Sequence, residues 1–330
     1  MMKSEYLDHN NLTIRNYRGP EDHEDMTEIF NETRVEEGYE IPMTVQELES
    51  EFDNTDHCNP YEDVFIVEKD EETVGWTQVW WGKDANDVRQ YSHSVTIFKE
   101  YKSKGGIREL INKNEKRIKE IAEDHPEEGK KVYHIRANEE QELWKKVLES
   151  EHYFKHRYGF LMVRPDLDDI PELPLLEGVE IRATKQEHYE KIRKAWNEAC
   201  KDQRDQVPLS KEDFQLWIDL GLFESSLFTT VWDSDEVIGT CIGIIREDEN
   251  KENDRMRGYL EFISVKKDWR GRGIAKAMMA ETMRKLKDRG MKKAALGVDA
   301  ENPSGALSLY RKMDFKIDKK VVFYRKEVQS

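Results

Sequence analysis

The sequence predicts an α/β protein built as two similar units in tandem, and three observations carry that reading. The chain is 330 residues long, more than one compact core of ordinary size holds. Segments of the first half recur in the second at an offset of about 165 residues, too long for a solenoid repeat and right for a duplicated domain. Leu12-Thr13-Ile14-Arg15 answers to Val179-Glu180-Ile181-Arg182, Glu72-Thr73-Val74-Gly75 to Glu236-Val237-Ile238-Gly239, and Lys104-Gly105-Gly106-Ile107 to Arg272-Gly273-Ile274. Finally, the strand-like run Tyr259 to Val265 passes through a glycine-rich turn into a helix-like run, Lys276 to Arg289.

Each unit reads as a strand, one or two helices, a meander of strands, a glycine loop with a long helix, then strand, helix and terminal strand. In the second, Val179 to Ala183 is a strand, and Glu187 to Cys200 places Ile192, Ala195, Trp196 and Ala199 at helical spacing. Phe214 to Leu222 is a shorter helix. Leu227 to Trp232 and Val237 to Arg246 form a hairpin around Asp233-Ser234-Asp235-Glu236. The loop Glu247 to Arg257 is expected to be too charged for burial. Val321 to Arg325 is expected to supply the last strand of this half. Pro165 to Gly178, with Asp166-Leu167-Asp168-Asp169 and two further prolines, reads as the connection. The expected boundaries are therefore a first domain at 1–165, a linker at 166–178 and a second domain at 179–330.

The turn Arg270-Gly271-Arg272-Gly273-Ile274-Ala275 is the most informative stretch. The first N–H groups of a helix have no intrahelical partner, and the helix dipole adds about half a positive charge there, so a diphosphate docks on main chain alone. Glycines let the backbone come close. Two common cradles are excluded: no Lys-Ser or Lys-Thr pair closes a Walker-type loop, and Lys276 stands where a dinucleotide fingerprint needs its third glycine. The remaining pattern, Arg/Gln-x-x-Gly-x-Gly/Ala, is filled by Arg270, Gly273 and Ala275. It resembles the acetyl-CoA pyrophosphate loop of the GNAT family of N-acetyltransferases. Downstream, a short strand at Ala294 to Val298 precedes Asn302, Ala306, Leu309, Tyr310 and Phe315, which are similar to the family's second signature. Asp314 replaces the usual glycine before that phenylalanine and also tolerates a left-handed backbone.

The resemblance implies two GNAT-like domains, each a mixed, mostly antiparallel twisted sheet flanked by helices, of the tandem type similar to mycothiol-synthase-like acetyltransferases. It implies acetyl-CoA as co-substrate and no metal. Main chain of Ile263, Ser264 and Val265 would bind the pantetheine arm and the acetyl oxygen, Arg270 to Ala275 the diphosphate, and Asn302 would anchor the following turn. Tyr310 matches the position of the acid that protonates the departing thiolate. Glu261 is the base candidate, a carboxylate on a strand face shared by period-2 alternation with Ile263 and Val265, where apolar surroundings raise its pKa.

The first half has lost these features. Tyr101-Lys102-Ser103-Lys104-Gly105-Gly106-Ile107-Arg108 lacks the Gly-x-Gly/Ala spacing, and Arg108 is expected where Ala275 stands, obstructing a diphosphate. Tyr158-Gly159-Phe160 reads as its closing motif, with Lys155 in the place of Tyr310. It is expected to be a structural or substrate-shaping domain.

Net charge is −16, and residues 1–170 carry 23 Lys and Arg against 40 Asp and Glu, whereas 171–330 carry 30 against 29. That disfavours a nucleic-acid partner and an anionic membrane surface, so neither is expected, and it favours an acceptor that arrives as a cation. No apolar run approaches the ~20 residues of a membrane span, and the first residues have no secretory pattern, so a cytoplasmic protein is expected. Cys58, Cys200 and Cys241 have no metal or disulfide spacing. Monomer and homodimer both fit. The expected reaction is transfer of acetyl from acetyl-CoA to the primary amine of a small cationic molecule. The alternatives are a protein or peptide N-terminal acetyltransferase, or a CoA-binding module without turnover.

Overall fold

The computed structural model describes residues 5–7, 12–36, 43–53, 57–84, 87–201, 208–219, 221, 223–300 and 305–328. Two compact units emerge, Met1–Tyr158 with Val321–Ser330, and Gly159–Lys320. The first contains strands β1 (Glu5–Leu7), β2 (Leu12–Asn16), β3 (Val64–Lys69), β4 (Glu72–Lys83), β5 (Arg89–Ile97) and β6 (Lys131–Asn138). Its helices are α1 (His23–Glu36), α2 (Val45–Asp53), α3 (Pro60–Asp63), α4 (Lys104–Glu123) and α5 (Glu142–Ser150). Strands β1 to β5 pair in order and antiparallel, and β6 lies parallel to β5. Beneath them α4 turns Ile107, Leu110, Ile111 and Ile118, all at most 1% exposed, onto Val79, Tyr91 and Tyr133. That is the helical repeat of an amphipathic face.

Strand β7 (Phe154–Arg164) leads from the first unit into the second, which continues with β8 (Val179–Arg182), α6 (Tyr189–Cys200), α7 (Lys211–Asp219), β9 (Phe228–Asp233), β10 (Glu236–Ile245), α8 (Glu247–Glu252) and β11 (Arg257–Val265). Helix α9 (Ile274–Asp288), β12 (Lys293–Asp299), α10 (Ala306–Arg311) and β13 (Lys316–Glu327) complete the chain. The order within this unit's sheet is β7-β12-β11-β10-β9-β8, antiparallel except for β11 beside β12. The fold class expected from the sequence, a mixed and mostly antiparallel sheet with helices in two tandem copies, is the one found.

The terminal strands differ from expectation. Val321 to Arg325 does not close the second unit; with Lys326 and Glu327 it pairs with β6, from Val321↔Asn138 to Glu327↔Val132, in the first. Conversely Gly159 to Arg164 pairs with β12, from Gly159↔Asp299 to Arg164↔Ala294, in the second. Each half thus gives its last strand to the other's sheet, and the compact units depart from the expected limits at 165 and 179. Alternation marks a strand and its faces, but main-chain donors and acceptors along an edge are the same in either sheet, so the partner is not written in the strand.

The connection between the halves packs on the second unit. Leu167 is 1% exposed, the buried Arg164 guanidinium donates to the carbonyls of Asp166, Asp169 and Met313, and Arg284 of α9 donates to Pro171 O at 2.7 Å. The segment Glu247 to Arg257, expected to be too charged for burial, forms α8 and buries Glu249 at 1% exposure. Arg257, Arg255 and Tyr259 surround that carboxylate and compensate its desolvation.

Helix α9 lies close on the sheet because glycines face it. A Cβ on Gly258 would stand 2.6 Å from Leu286 Cδ2, and one on Gly239 would stand 2.9 Å from Met278 Cε. Gly258→Val is therefore expected to cost about 1–3 kcal/mol by overpacking. A thermal melt several degrees below the parent, with CoA binding retained below the transition, is the expected result.

Candidate active site

The predicted strand, glycine turn and helix are present. Gly273 is the N-cap of α9 with φ 85°, Gly271 has φ 76°, and a Cβ built on either meets nothing within 4 Å. No side chain caps this helix, so its first N–H groups face an open space. Ile274, Ala277, Met278 and Met283 are buried and fix the helix start against the core. Arg270, expected to bind phosphate, instead donates through Nε to Val265 O at 3.0 Å and through Nη2 to Ala199 O at 2.6 Å. It laces the loop to the end of β11 and to the end of α6. Arg272 lies over the Trp269 ring, 5.0 Å from its centroid.

The second feature is a bulge in β11. Thr240 pairs with Ser264 and Ile242 with Glu261, so two steps on β10 face three on β11. The extra residue adopts the left-handed region at Phe262, φ 53°, a conformation that costs a non-glycine residue about 1–2 kcal/mol. Thr240 Oγ1 donates to Phe262 O at 2.8 Å and lies 2.9 Å from Ser264 Oγ, which pins both sides of the bulge. One consequence corrects the sequence reading. The bulge shifts the alternation by one, so Glu261 shares its face with Ser264 and not with Ile263 and Val265. Strand β11 also pairs with β12 only from Arg257 to Tyr259, while its ladder with β10 continues to Val265. The two central strands part beyond Tyr259.

Into that parting comes Tyr310. Helix α10 ends with Phe315 N donating to Tyr310 O at 3.0 Å, and Asp314 takes the left-handed φ of 64° that glycine usually supplies. The phenol is 6% exposed, and burial raises its pKa above the ordinary tyrosine value, with Cys241, Glu261 and Cys200 adding to the effect. It is protonated at neutral pH, as a proton donor must be. Ile263, Ser264, Val265, Arg270, Gly271, Gly273, Ile274, Ala275 and Tyr310 all line one cavity of about 460 Å³. Ala199, Trp269, Lys276, Ala306 and Leu309 complete it. Of the remaining expected residues, Arg272 and Glu261 do not line it, and Asn302 lies outside the described residues. A larger cavity, about 680 Å³, lies at the opposite end of β11 and includes Arg255, Met256 and Arg289. It sits by the carboxyl end of α9, where the helix dipole repels a diphosphate.

Glu261 stands one residue before the bulge. It is half-buried at the surface but surrounded by protein, and burial pushes its pKa up to about 6, an effect that Arg246 opposes. It is ionised at pH 7 and readily protonated. The free Cys241 is fully buried on β10, its thiol pushed up to about 12 by burial, and offers no thiolate.

The first unit lacks each of these devices. Strands β4 and β5 pair without a shift, so Val95 alone opposes Thr77, and Ser94 stands where Glu261 stands in the second unit. Helix α4 starts directly at Lys104, and Ser103 Oγ accepts from Gly106 N at 3.0 Å, filling the place of an anion. Arg108, expected to obstruct that place, points to Glu151 and Ser150 instead. The closing motif is His152-Tyr153, not Tyr158-Gly159-Phe160: His152 has φ 65°, and Tyr153 N donates to Leu148 O at 2.9 Å, the same turn as at Phe315. Leu148, fully buried, thus replaces Tyr310, not Lys155.

Residues 189–315 match the family model described as the acetyltransferase (GNAT) family. That match covers less than half of the chain and lies within the second unit, which it marks as similar to a GNAT acetyltransferase domain. An N-alpha-acetyltransferase MAK3 of Arabidopsis thaliana is 30% identical over 86 residues, 26% of this chain and 45% of that protein, so the match spans about half the length of the relative. A GCN5-related N-acetyltransferase of Sphaerobacter thermophilus shares the fold with a TM-score of 0.73 over 97% of this chain and 96% of its own, at 21% identity. A tandem GNAT protein from the clavulanic acid biosynthesis pathway shares it at 0.66 over 97% and 99%, at 11% identity.

Two outcomes are expected. Gly273→Glu should abolish CoA binding by calorimetry, because a charged side chain would fill the cradle and the left-handed backbone would be strained. Glu261 carries a folded-state pKa above that of the unfolded chain, so its contribution to stability falls as pH rises from 4.5 through about 6. Glu261→Gln should therefore melt higher than the parent at pH 8, and at nearly the same temperature below pH 4.5.

Proposed function

We propose that this chain transfers the acetyl group of acetyl-CoA to the primary amine of a small, cationic acceptor. The observation that carries the reading is one cavity that joins an uncapped helix N-terminus, a bulged strand edge and a buried, protonated phenol. Main chain at Gly273 to Ala275 would hold the diphosphate, and the open space above Gly271 and Gly273 fits it. Main-chain N–H groups at the bulge would support the carbonyl oxygen as charge develops there. Glu261 takes the proton of the arriving ammonium, directly or through water. The amine nitrogen then bonds to the thioester carbon, the C–S bond breaks, Tyr310 gives its proton to the sulfur, and the proton that the acylated nitrogen releases restores the phenol.

The acidic first half supports a cationic acceptor. Its 40 acidic against 23 basic residues over 1–170 attract an ammonium over distances set by the Debye length. The likeness to an N-alpha-acetyltransferase favours a second reading, in which the amine is the N-terminus of a peptide. Turnover of acetyl-CoA against a panel of amines, polyamines, amino sugars and peptides separates the two.

Tyr310→Phe should lower kcat by about 10² to 10⁴ with CoA affinity little changed, because the ring still packs while the proton donor is gone. An unchanged kcat on the best acceptor would make Tyr310 a packing residue. For the parent, kcat/KM should rise with pH through about 6 as Glu261 ionises, and Glu261→Gln should remove that limb. Efficiency with the best acceptor should fall as salt shortens the Debye length from ~10 Å at 0.1 M to ~3 Å at 1 M. A preference for neutral acceptors, or no salt dependence, would assign the acidic half to solubility.

A further inference from the structure

Phe262 is a bulky residue in a conformation that favours glycine, φ 53°, at the one place where β11 leaves regular strand geometry. Such an outlier persists only when its surroundings over-determine it. Its ring meets three others: Trp196 of α6 at a centroid distance of 4.6 Å, Trp217 of α7 at 5.3 Å, and Phe223 at 5.3 Å, with interplanar angles of 64°, 56° and 90°. These are the edge-to-face and tilted arrangements that aromatic quadrupoles favour. Trp217 and Phe223 also touch each other at 5.4 Å. Behind the ring, the carbonyl of Phe262 is held by Thr240. Helix α6, which carries Trp196, is itself tied to the cradle: Arg270 holds Ala199 O, and Lys266 pairs with Glu198 at 2.8 Å.

A return of Phe262 to an extended conformation would remove the bulge, restore the alternation and turn the ring away from all three partners. Ring and backbone therefore move together. We infer that Trp196, Trp217 and Phe223 are positioning residues for the transfer step: by gripping the Phe262 ring they hold the bulge, whose next residue, Ile263, lines the cavity. This rests on the acetyl-transfer reading above. The three aromatics act through Phe262 and need not touch the acyl group. The first unit is consistent with this logic, since its β4–β5 ladder has no bulge and places a single residue, Val95, where the second unit has Phe262 and Ile263.

The test compares Phe262→Ala, Phe262→Gly, the double variant Trp196→Leu/Trp217→Leu, and the triple variant that adds Phe262→Gly to the double. For each, kcat, both KM values and the calorimetric affinities for CoA and acetyl-CoA are measured on the full chain. Alanine loses the grip and keeps the strain, so kcat should fall about tenfold or more while CoA affinity stays within about twofold, the diphosphate cradle being untouched. Glycine adopts the left-handed backbone unaided and should retain most of kcat. The double variant should behave like Phe262→Ala, and the triple variant should recover kcat. A merely structural role would not give that rescue, because removing a further ring only weakens packing. A parental kcat in Phe262→Ala, equal losses in the alanine and glycine variants, or a triple variant no better than the double would overturn the inference. So would a double variant that raises only the acceptor KM, which would make the cluster an acceptor-binding wall. If the parent binds acetyl-CoA and turns over no acceptor, the functional reading fails separately. The clamp is then read from the ratio of acetyl-CoA to CoA affinity, which Phe262→Ala should lower and Phe262→Gly should keep.

Discussion

Everything at the candidate site follows from the shortness of one ladder. Strands β11 and β12 pair only between Arg257 and Tyr259 on one side and Lys293 and Ala295 on the other. Each then stays with its outer neighbour, β11 with β10 as far as Val265 and β12 with β7 as far as Asp299. A sheet that opens along one line exposes main-chain donors and acceptors in its middle, where they are normally spent on the adjacent strand. An extended ligand that offers amide groups is a natural substitute for the missing strand. The glycine loop follows β11 directly, so the uncapped end of α9 lies at the mouth of the same opening, and α10 follows β12 and brings Tyr310 from the other side. Topology alone thus delivers a main-chain edge, an anion cradle and a phenol to one cavity.

The same opening explains why chemistry here is in tension with stability. A carboxylate beside the parted strands is stripped of water, which pushes Glu261 up to about 6; a shift of that size from 4.5 represents about 2 kcal/mol of differential interaction. Glu249, buried on α8 at 1% exposure, has two arginines and a phenol around it. The contrast is between a carboxylate whose desolvation is compensated and one whose desolvation is kept. The second, Glu261, is poised near neutral pH. Phe262 belongs to the same account, because its left-handed backbone is strain retained next to the reacting groups.

Much of this was legible in the sequence, and the failures have physical causes. The cradle was legible because Arg270 to Ala275 combines glycines with a strand before and a helix after, and Tyr310 because its spacing to Phe315 encodes a helix end. The bulge was not: Leu260-Glu261-Phe262-Ile263 reads as ordinary strand, and what displaces the register is tertiary, a threonine hydroxyl on β10 and three rings from elsewhere in the chain. That one hidden residue also put Glu261 on the wrong face. Arg270 was assigned to phosphate because arginine beside a glycine loop suggests it, whereas two carbonyls, at Val265 and Ala199, lie within reach and take the guanidinium first. The exchange of terminal strands had no signal at all, since a strand carries its alternation but not the name of its partner.

The two units carry different residues at the equivalent positions. The first retains the short parallel ladder, Arg89–Ser92 with Lys131–His134, and therefore the same parting of strands. At every special position it carries the residue that an ordinary fold favours: Ser103 caps the helix that Gly273 leaves open, and a regular register replaces the bulge. Leu148 fills the core where Tyr310 offers a hydroxyl, and Ser94 replaces the desolvated Glu261. Each change removes an unsatisfied donor, a strained dihedral or a buried charge, and each is the direction in which stability points when function does not oppose it. The second unit keeps all four liabilities, and the open helix end, the bulge and Tyr310 meet in one cavity. Their coincidence, more than any one residue, distinguishes this unit from the first.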